Sequence, residues 1–491
     1  MSSANGASLS ARTIQAGMWT VGARLASRVI DFAVLLVLAR LLGPADFGLV
    51  ATAMTVIYIV EAVLELPLTF VLVRMPEVTD RMYSTAFTLG LIRGLLVAGI
   101  MAALSWPLAS LYGDPRLTAL ICVLALAPAA RGMISPRMVI FEKVLDFRRK
   151  GILEIVGKAV AAAIAITIAV TTGNYWAVAA GTVSTPVVMM ILSYIMAPMR
   201  LRLSLGDWAL FSTMTGWNFL SQIVSALNWQ VDRLILPLYV DVVSFGRFTT
   251  ANDIAALPHQ AIVAPTAVPL FSALVNAREK GNLESAYLKA CSGIVILMAP
   301  LMCFMALMAG PVIHILLGPS WSSGAPILAG VALASLISLP TVPMTALVLV
   351  LDRPRLVAFR SLVELLVRAP LTLVGIILSG IPGAIAAKAA AGAALLLVTL
   401  FAVRSVADIS FRDQLRSSFY PFAALIPAAA FLYGVPDFTQ SGLYLYPAIA
   451  VTGLVFGLIY LASLYGLWWI SGRPAGVESY FAERAAAYFR R

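Results

Sequence analysis

Long apolar runs dominate the chain, and short stretches rich in proline, glycine and charge separate them. An α-helix needs about 20 apolar residues to cross the hydrocarbon core of a bilayer. We find fourteen runs of suitable length, so the pattern predicts an all-α polytopic membrane protein with about 14 transmembrane helices. The predicted spans lie near residues 14–41, 46–73, 84–111, 117–136, 151–171, 175–197, 208–238, 246–274, 287–316, 324–351, 355–378, 382–403, 418–435 and 443–471.

The composition agrees with this pattern. Of the 491 residues, 61% are hydrophobic and 12% are charged, about half the charged share of a soluble domain. This excludes a soluble enzyme and a nucleic-acid-binding domain, although the net charge is +11. The most polar stretches, 137–150, 276–285, 405–416 and 472–491, are too short for a soluble domain.

Basic residues predict the orientation. With the N-terminus in the cytoplasm, the inner connections and termini carry 23 Lys and Arg residues and the outer connections carry 3. The positive-inside rule then places both termini in the cytoplasm. No small-residue cleavage site follows the first apolar run, so we interpret it as a retained span rather than a signal peptide.

Cysteine and histidine usage gives no sign of a metal or disulfide site. The three cysteines, Cys122, Cys291 and Cys303, each lie inside an apolar run, and the two histidines, His259 and His314, are far from them in sequence. We therefore expect no cofactor, and leave open a coupling proton or sodium ion.

A shift of 198 residues aligns the first predicted span and its exit loop with the seventh. Trp19 then falls on Trp217, and Phe47-Gly48 falls on Phe245-Gly246. Six spans separate the two copies, which predicts parallel repeats with a substrate cavity between two six-helix lobes. The predicted organisation is an N-terminal lobe at 1–200, a C-terminal lobe at 201–404, two extra helices at 405–471 and a cytoplasmic tail, with a short amphipathic helix as one interpretation, at 472–491.

Fifteen ionisable residues fall inside the predicted spans, eight basic and seven acidic. Each costs about 2.5–3.5 kcal/mol at the bilayer centre, so these side chains should face protein or water. Together with one asparagine, eleven of them form the predicted lumen lining: Arg24, Arg28, Asp31, Glu61, Glu65, Arg93, Asn228, Asp232, Asp253, Glu364, Arg368 and Lys388.

The first span has the most informative spacing. Arg24, Arg28 and Asp31 stand at i, i+4 and i+7, on one stripe of a helix. The planar guanidinium fork binds phosphate oxygens in a bidentate manner, so this stripe suits a pyrophosphate group. The structural alternative is that Arg28 and Asp31 pair as a contact between spans. Asn228 and Asp232 lie on one stripe of the seventh span, and could form the facing wall.

Other intramembrane charges leave alternatives open. Glu61 and Glu65 are one turn apart, and either couple transport to protons or pair with Arg24 or Arg93. Glu364 and Arg368 stand at i and i+4 and are expected to satisfy each other. Three further charges, near span ends, are expected to reach the membrane surface: Arg131, Glu154 and Lys158.

The segment Leu38 to Gly48 resembles a signature of the Wzx-type flippases of lipid-linked oligosaccharides. These belong to the multidrug/oligosaccharidyl-lipid/polysaccharide (MOP) superfamily. The resemblance extends over residues 10–410, through Asp146-Phe147-Arg148, Asn174-Tyr175-Trp176-Ala177, Asn228 to Asp232, Leu257-Pro258, Leu317-Gly318 with Trp321, and Leu351-Asp352-Arg353-Pro354.

The resemblance implies a V-shaped bundle in the bacterial inner membrane. The implied function is to flip an undecaprenyl-pyrophosphate-linked glycan from the cytoplasmic to the periplasmic leaflet, for exopolysaccharide, O-antigen or capsule synthesis. The implied partners are this glycan lipid, the bilayer, and a polysaccharide polymerase with its export machinery. We expect a monomer without nucleic acid and without enzymatic activity.

Three alternatives belong to other classes. A multidrug antiporter of the same superfamily would favour acidic or aromatic lumen residues over Arg24, Arg28 and Lys388. A lipid II flippase would share the fold. A glycan polymerase would need a large periplasmic loop, whereas each outer connection here is about ten residues long or shorter.

Overall fold

The computed structural model describes the backbone of residues 2–144, 146–212, 216–435 and 445–471, and these residues form helices and no β-strand. Contacts divide the chain into two compact units, Met1–Gly246 and Arg247–Arg491. The predicted tail at 472–491 lies outside the described residues. The lobe boundary predicted at residue 200 stays a prediction.

The N-terminal unit is built from helices of very different lengths, and a twelfth helix crosses its C-terminal boundary. In chain order they are α1 (Ser2–Leu41), α2 (Pro44–Val63), α3 (Leu68–Arg74), α4 (Asp80–Tyr112), α5 (Arg116–Leu124), α6 (Leu126–Gly132), α7 (Val139–Lys143), α8 (Arg148–Thr172), α9 (Trp176–Met196), α10 (Trp208–Ser212), α11 (Gly216–Ile235) and α12 (Val242–Pro258).

In the described part of the C-terminal unit, nine more α-helices follow. They are α13 (Ala264–Glu279), α14 (Leu283–Leu307), α15 (Ala309–Leu317), α16 (Ala325–Ser338), α17 (Met344–Val350), α18 (Pro354–Ala407), α19 (Phe411–Ala423), α20 (Leu425–Tyr433) and α21 (Leu445–Ile470). A break at Gly380, whose φ is 61°, divides α18 into two helices, Pro354–Ser379 and Ile381–Ala407.

The predicted membrane fold is confirmed, but the count of fourteen spans is not. Eleven helical stretches in the described part of the chain are long and apolar enough to cross a membrane. They become twelve if the pair Arg116–Gly132 and Pro136–Lys143, bent by 50°, forms one span. The predicted first and seventh spans coincide with α1 and α11, which are helical but are not among the twelve.

Each unit has its own apolar core. In the N-terminal unit, Leu49 and Ile57 of α2 pack with Met101 of α4 and Leu120 of α5. In the C-terminal unit, α14 lies at the centre of a cluster that also contains residues of α20 and α21. Polar groups of the helix backbones bond within the helices, so side-chain packing is left to join one span to the next.

Glycines bring α4 and α6 into direct backbone contact. A Cβ on Gly90 would lie 2.7 Å from the carbonyl oxygen of Gly132, and a Cβ on Gly132 would overlap the carbonyl oxygen of Gly90. Small residues at such crossings are typical of packed membrane helices. The close crossing holds the C-terminal end of α6 against the middle of α4, where two arginines are found.

Two of the sequence motifs meet at the helix N-termini. The Asp46 carboxylate accepts hydrogen bonds from the backbone N–H of Tyr175, at 3.0 Å, and from that of Gly43, at 3.3 Å. Asn174 caps α9 by accepting from the N–H of Trp176 at 3.1 Å. The polar residues of these motifs therefore fix the entry of α2 against the entry of α9.

Candidate functional site

A cluster of charged side chains lies where α1 packs against α8. Lys158 of α8 is 2.5 Å from the carboxylate of Asp31, and Arg28 lies 4.0 Å from the same carboxylate. Arg24 is exposed one turn earlier on α1, with no ion-pair partner among the described residues. We call Arg24, Arg28 and Lys158 the cationic face.

The cationic face extends from one end of α8 towards its middle. A Cβ on Gly151 would lie 2.7 Å from the Cβ of Ala23, so Arg24 is level with the first turn of α8. Lys158 stands ten residues after Arg148, where α8 begins, which is about 15 Å along the axis. Sequence numbers rise in the same direction on both helices, so α1 and α8 run parallel, as the predicted first and fifth spans should.

The structure pairs Asp31 with both Arg28 and Lys158, so the structural interpretation of Arg28 is partly correct. The contact with Arg28 is long, and the side chain of Arg28 remains 58% exposed. Among the described residues, Asp31 is the carboxylate that pairs with this face, and the face has three cations. The remaining positive charge is available to an anionic ligand.

A second polar region is a pocket of about 290 Å³ inside the N-terminal unit. Its lining comes from the α2–α3 connection and from α3, α4, α6, α7, α8 and α9, and polar and apolar groups contribute to it in similar measure. The charged lining residues are Glu65, Arg93, Arg131, Glu142, Lys150 and Glu154. Polar groups that converge in a pocket are typical of a small-molecule site.

Three ion pairs involve residues that line this pocket. Lys150 lies 2.7 Å from Glu142, near the α7–α8 turn. Arg93 lies 3.4 Å from Glu65 and also donates to the carbonyl oxygen of Glu61 at 3.2 Å. Glu65 lies in the connection between α2, which ends at Val63, and α3, which begins at Leu68 directly after Pro67. The carboxylate of Glu65 therefore projects from a point where the helix is interrupted.

Arg131 lies 3.1 Å from the buried carboxylate of Glu61. Both glutamates of the second predicted span are therefore paired, which agrees with the pairing alternative for Glu65 and Arg93. Glu154 differs from all of them, because it has no hydrogen-bond or ion-pair partner in the part of the chain that the structure describes. Its carboxylate lines the pocket one turn beyond Lys150.

The other predicted lumen residues lie elsewhere. Asn228 and Asp232 are buried on α11, which packs against α2. In the C-terminal unit, Lys388 donates to the side chain of Asn252 at 2.7 Å. The exposed Asp253 follows Asn252 on α12, and Glu364 and Arg368 are half-buried and one turn apart on α18. Their role in lining a lumen stays a prediction.

Sequence reasoning undervalued Arg131, Glu154 and Lys158 by placing them at span ends. In the structure α8 begins at Arg148, so Glu154 and Lys158 lie about 9 and 15 Å along the helix. The sequence did not indicate a role for Asn252, because an asparagine within a span is not a candidate until its partner Lys388 is known. Among the described residues, no three His, Cys, Asp or Glu side chains are grouped as a metal ion would require.

Comparison with known proteins identifies the family. The model of a family described as "Polysaccharide biosynthesis protein" matches residues 37–326. The succinoglycan biosynthesis transport protein ExoT of Rhizobium meliloti (strain 1021) is 24% identical over 329 residues, 66% of each chain. The lipopolysaccharide biosynthesis protein WzxC of Escherichia coli (strain K12) is 22% identical over 65% of this chain and 66% of its own. The match spans just under two thirds of each relative.

Solved structures show the same fold at low identity. The lipid II flippase MurJ, in an inward closed conformation, has a TM-score of 0.71 at 14% identity and covers 92% of this chain and 99% of its own. An inward-facing multidrug resistance transporter of the MATE family has a TM-score of 0.59 at 13% identity, over 78% and 97%. The family model covers more than half of the chain. The chain therefore belongs to the polysaccharide biosynthesis protein family.

Proposed function

We propose that the protein is a flippase for an undecaprenyl-pyrophosphate-linked oligosaccharide repeat unit. It would move this lipid from the cytoplasmic to the periplasmic leaflet of the bacterial inner membrane, for polysaccharide synthesis. The observation that carries the proposal is the cationic face, where Arg24, Arg28 and Lys158 stand against the single carboxylate of Asp31.

The chemistry of the cationic face suits pyrophosphate. Two arginine forks and one ammonium group, less the charge of Asp31, leave two positive charges, which can neutralise a dianionic head while donating several charge-assisted hydrogen bonds. Arg24 is level with the start of α8 and Lys158 is about 15 Å further along. A pyrophosphate group that enters at Arg24 and moves along α8 would therefore contact another cation of this face before its contact with Arg24 breaks.

The predicted topology supports the direction. Arg148, at the start of α8, belongs to a connection that the charge distribution places in the cytoplasm, so Arg24 would meet a head group arriving from the cytoplasmic leaflet. The polyprenyl tail would stay in lipid throughout. Translocation changes no covalent bond, and the proposal accordingly assigns no catalytic residue.

Alternating access would be driven by a proton or sodium gradient, since the chain carries no sequence signal for a nucleotide-binding site. Reconstituted vesicles test this step. Translocation of the lipid-linked glycan should fall when an ionophore collapses the coupling gradient, and a rate that no ionophore changes would contradict gradient coupling.

Deletion of the protein in its own host tests the function directly. Lipid-linked repeat units should accumulate on the cytoplasmic leaflet, while surface polysaccharide is lost. Normal surface polysaccharide together with lost dye efflux would overturn the flippase proposal and favour drug export.

Substitutions on the cationic face test the mechanism. Arg28→Ala should abolish most export and Arg28→Lys should keep part of it, because a lysine supplies charge without the bidentate fork. Lys280→Gln, at the exposed end of α13 in the C-terminal unit, removes a cation that does not belong to the cationic face and serves as the control. Full export by both Arg28 variants would mean that Arg28 is purely structural.

A further inference from the structure

We propose that the pocket between α4, α6, α7 and α8 binds the sugar ring attached to the pyrophosphate, and that it selects neutral or amino sugars over acidic ones. This inference rests on the proposed flippase function and assigns a glycan subsite beside the cationic face.

The pocket lies beside the cationic face. Helix α8 contributes Lys150 and Glu154 to the pocket, while Gly151 and Lys158 of the same helix face α1. Glu154 comes three residues after Gly151 and four before Lys158, so it lies within about one helical turn of both surfaces. A sugar bonded to a pyrophosphate on the cationic face is therefore next to the pocket.

The polar groups in the lining are of the kind that binds sugar hydroxyls. A sugar hydroxyl both donates and accepts, so it bonds well where carboxylates and guanidinium groups alternate. Glu65 and Arg131 keep 50% and 43% of their side chains exposed although both are paired. Glu154 brings carboxylate oxygens that have no partner among the described residues, and an unpaired charge within a span is costly. A bound hydroxyl would satisfy it.

The volume of the pocket matches that of one sugar ring. A volume of about 290 Å³ is at the small end of the range for small-molecule sites. It suits one sugar ring rather than a whole repeat unit. Phe141 contributes an apolar ring to the lining, against which the C–H face of a sugar can pack.

The charged residues around the pocket disfavour an acidic sugar. Around the pocket, Arg93, Arg131 and Lys150 are each matched by a carboxylate, from Glu65, Glu61 and Glu142 respectively. Glu154 remains without such a partner among the described residues. A uronic acid would meet repulsion there, whereas a neutral ring would not and an amino sugar would be attracted.

Binding measurements on the purified full-length protein test the subsite. The probes are a short-chain polyprenyl pyrophosphate, the same lipid carrying one glucose, galactose or N-acetylglucosamine, and the same lipid carrying glucuronic acid. The wild-type protein should bind at least one neutral-sugar lipid about tenfold more tightly than the bare lipid, and should gain nothing from glucuronic acid.

The variants separate the two surfaces. Glu154→Gln should lose most of the tenfold advantage of the sugar while leaving binding of the bare lipid pyrophosphate unchanged. Arg28→Ala should weaken binding of both lipids by the same factor. Glu284→Gln, an exposed acidic residue in the first turn of α14, is the matched control and should change neither.

The thermal unfolding temperature shows whether a variant has lost binding only because it no longer folds. Glu154→Gln should unfold at the wild-type temperature or above it, because no protein partner is lost. Equal wild-type binding of the bare lipid and every sugar-bearing lipid would overturn the subsite but not the flippase proposal. So would an effect of Glu154→Gln on pH dependence alone, which would mark a proton site. Failure to bind even the bare pyrophosphate would contradict the proposed function itself.

Discussion

Gly48 and Gly246, which stand 198 residues apart in the chain, meet in a reciprocal contact. A Cβ on Gly48 would overlap the carbonyl oxygen of Val242, and a Cβ on Gly246 would overlap the carbonyl oxygen of Pro44. Pro44 and Val242 are also related by the shift of 198 that aligns the repeat. Such an exchange of equivalent contacts is what a twofold relationship between the two copies requires.

Alanine at either glycine should therefore destabilise the protein. Gly48→Ala and Gly246→Ala each force a methyl group into a backbone carbonyl, and overpacking of this kind costs typically about 1–3 kcal/mol. Thermal unfolding in detergent measures the effect. Gly99→Ala, in α4, is the control because nothing lies within 4 Å of its Cβ position. Unchanged stability in both variants would disprove the close contact.

Removal of Arg131 should be strongly destabilising. Glu61 is only 8% exposed, and loss of its partner leaves a buried carboxylate unpaired, at a cost of about 3–5 kcal/mol. Arg131→Gln should therefore lower the unfolding temperature markedly, and the double variant with Glu61→Gln should recover much of the loss. Arg93→Gln should cost less, because its partner Glu65 is half exposed. A double variant no more stable than Arg131→Gln would contradict this account.

Asp31 and Lys158 should show measurable coupling. A double-mutant cycle with Asp31→Asn and Lys158→Gln should give about 0.5–2 kcal/mol, the range for polar pairs between membrane helices. The cycle is measured by unfolding in detergent. Arg24 has no ion-pair partner among the described residues, so Arg24→Gln combined with Asp31→Asn should be additive. Strong coupling in that control pair would show that Arg24 also contacts Asp31.

Asp352 occupies a backbone conformation that most residues avoid. Its φ is 57°, and its carboxylate lies 3.1 Å from Arg278 of α13. Asp352→Ala should cost about 1–2 kcal/mol, since alanine loses the ion pair and tolerates this conformation poorly. Asp352→Asn should be milder, because asparagine readily adopts positive φ. The order is checked by thermal unfolding, and an alanine variant as stable as the asparagine variant would contradict it.

Asp241, just before α12, should make stability depend on pH in acid. Hydrogen bonds from the side chain and backbone N–H of Ser244, and from the N–H of Val243, hold the pKa of Asp241 below its ordinary value of 3.8. A lowered pKa adds stability above the ordinary value and loses it as the pH falls through the lowered one. The stability difference between wild type and Asp241→Asn should be constant from about pH 7 to 5 and shrink below about pH 4. A constant difference down to pH 2.5 would exclude this cap.

The membrane class followed from local sequence, because every span must satisfy its own backbone and cover itself with apolar side chains. In the described part of the chain, α1 and α11 are not among the helices that are apolar enough to cross a membrane, because charged and amide side chains interrupt their apolar pattern. Helix irregularities, such as the π-helical turn His259–Val263, depend on proline positions that the sequence does display. Their geometry depends on neighbouring helices and could not be read from the chain.

The candidate site was less predictable than the fold. Spacing along one helix correctly placed Arg24, Arg28 and Asp31 on a common stripe, because helical periodicity is a local property. It could not show that Lys158 reaches Asp31 or that Arg131 reaches Glu61. Those partners are 127 and 70 residues away in sequence, and they meet only because the helices that carry them pack against each other.

By itself, the sequence determined a helical membrane protein and the cost of charges within its spans, and it predicted an internal repeat. Only the tertiary structure decided which charges are neutralised by partners on other helices, and it left Glu154 without one. The physical reason is that hydropathy and periodicity act within one helix, whereas an ion pair depends on the packing between helices.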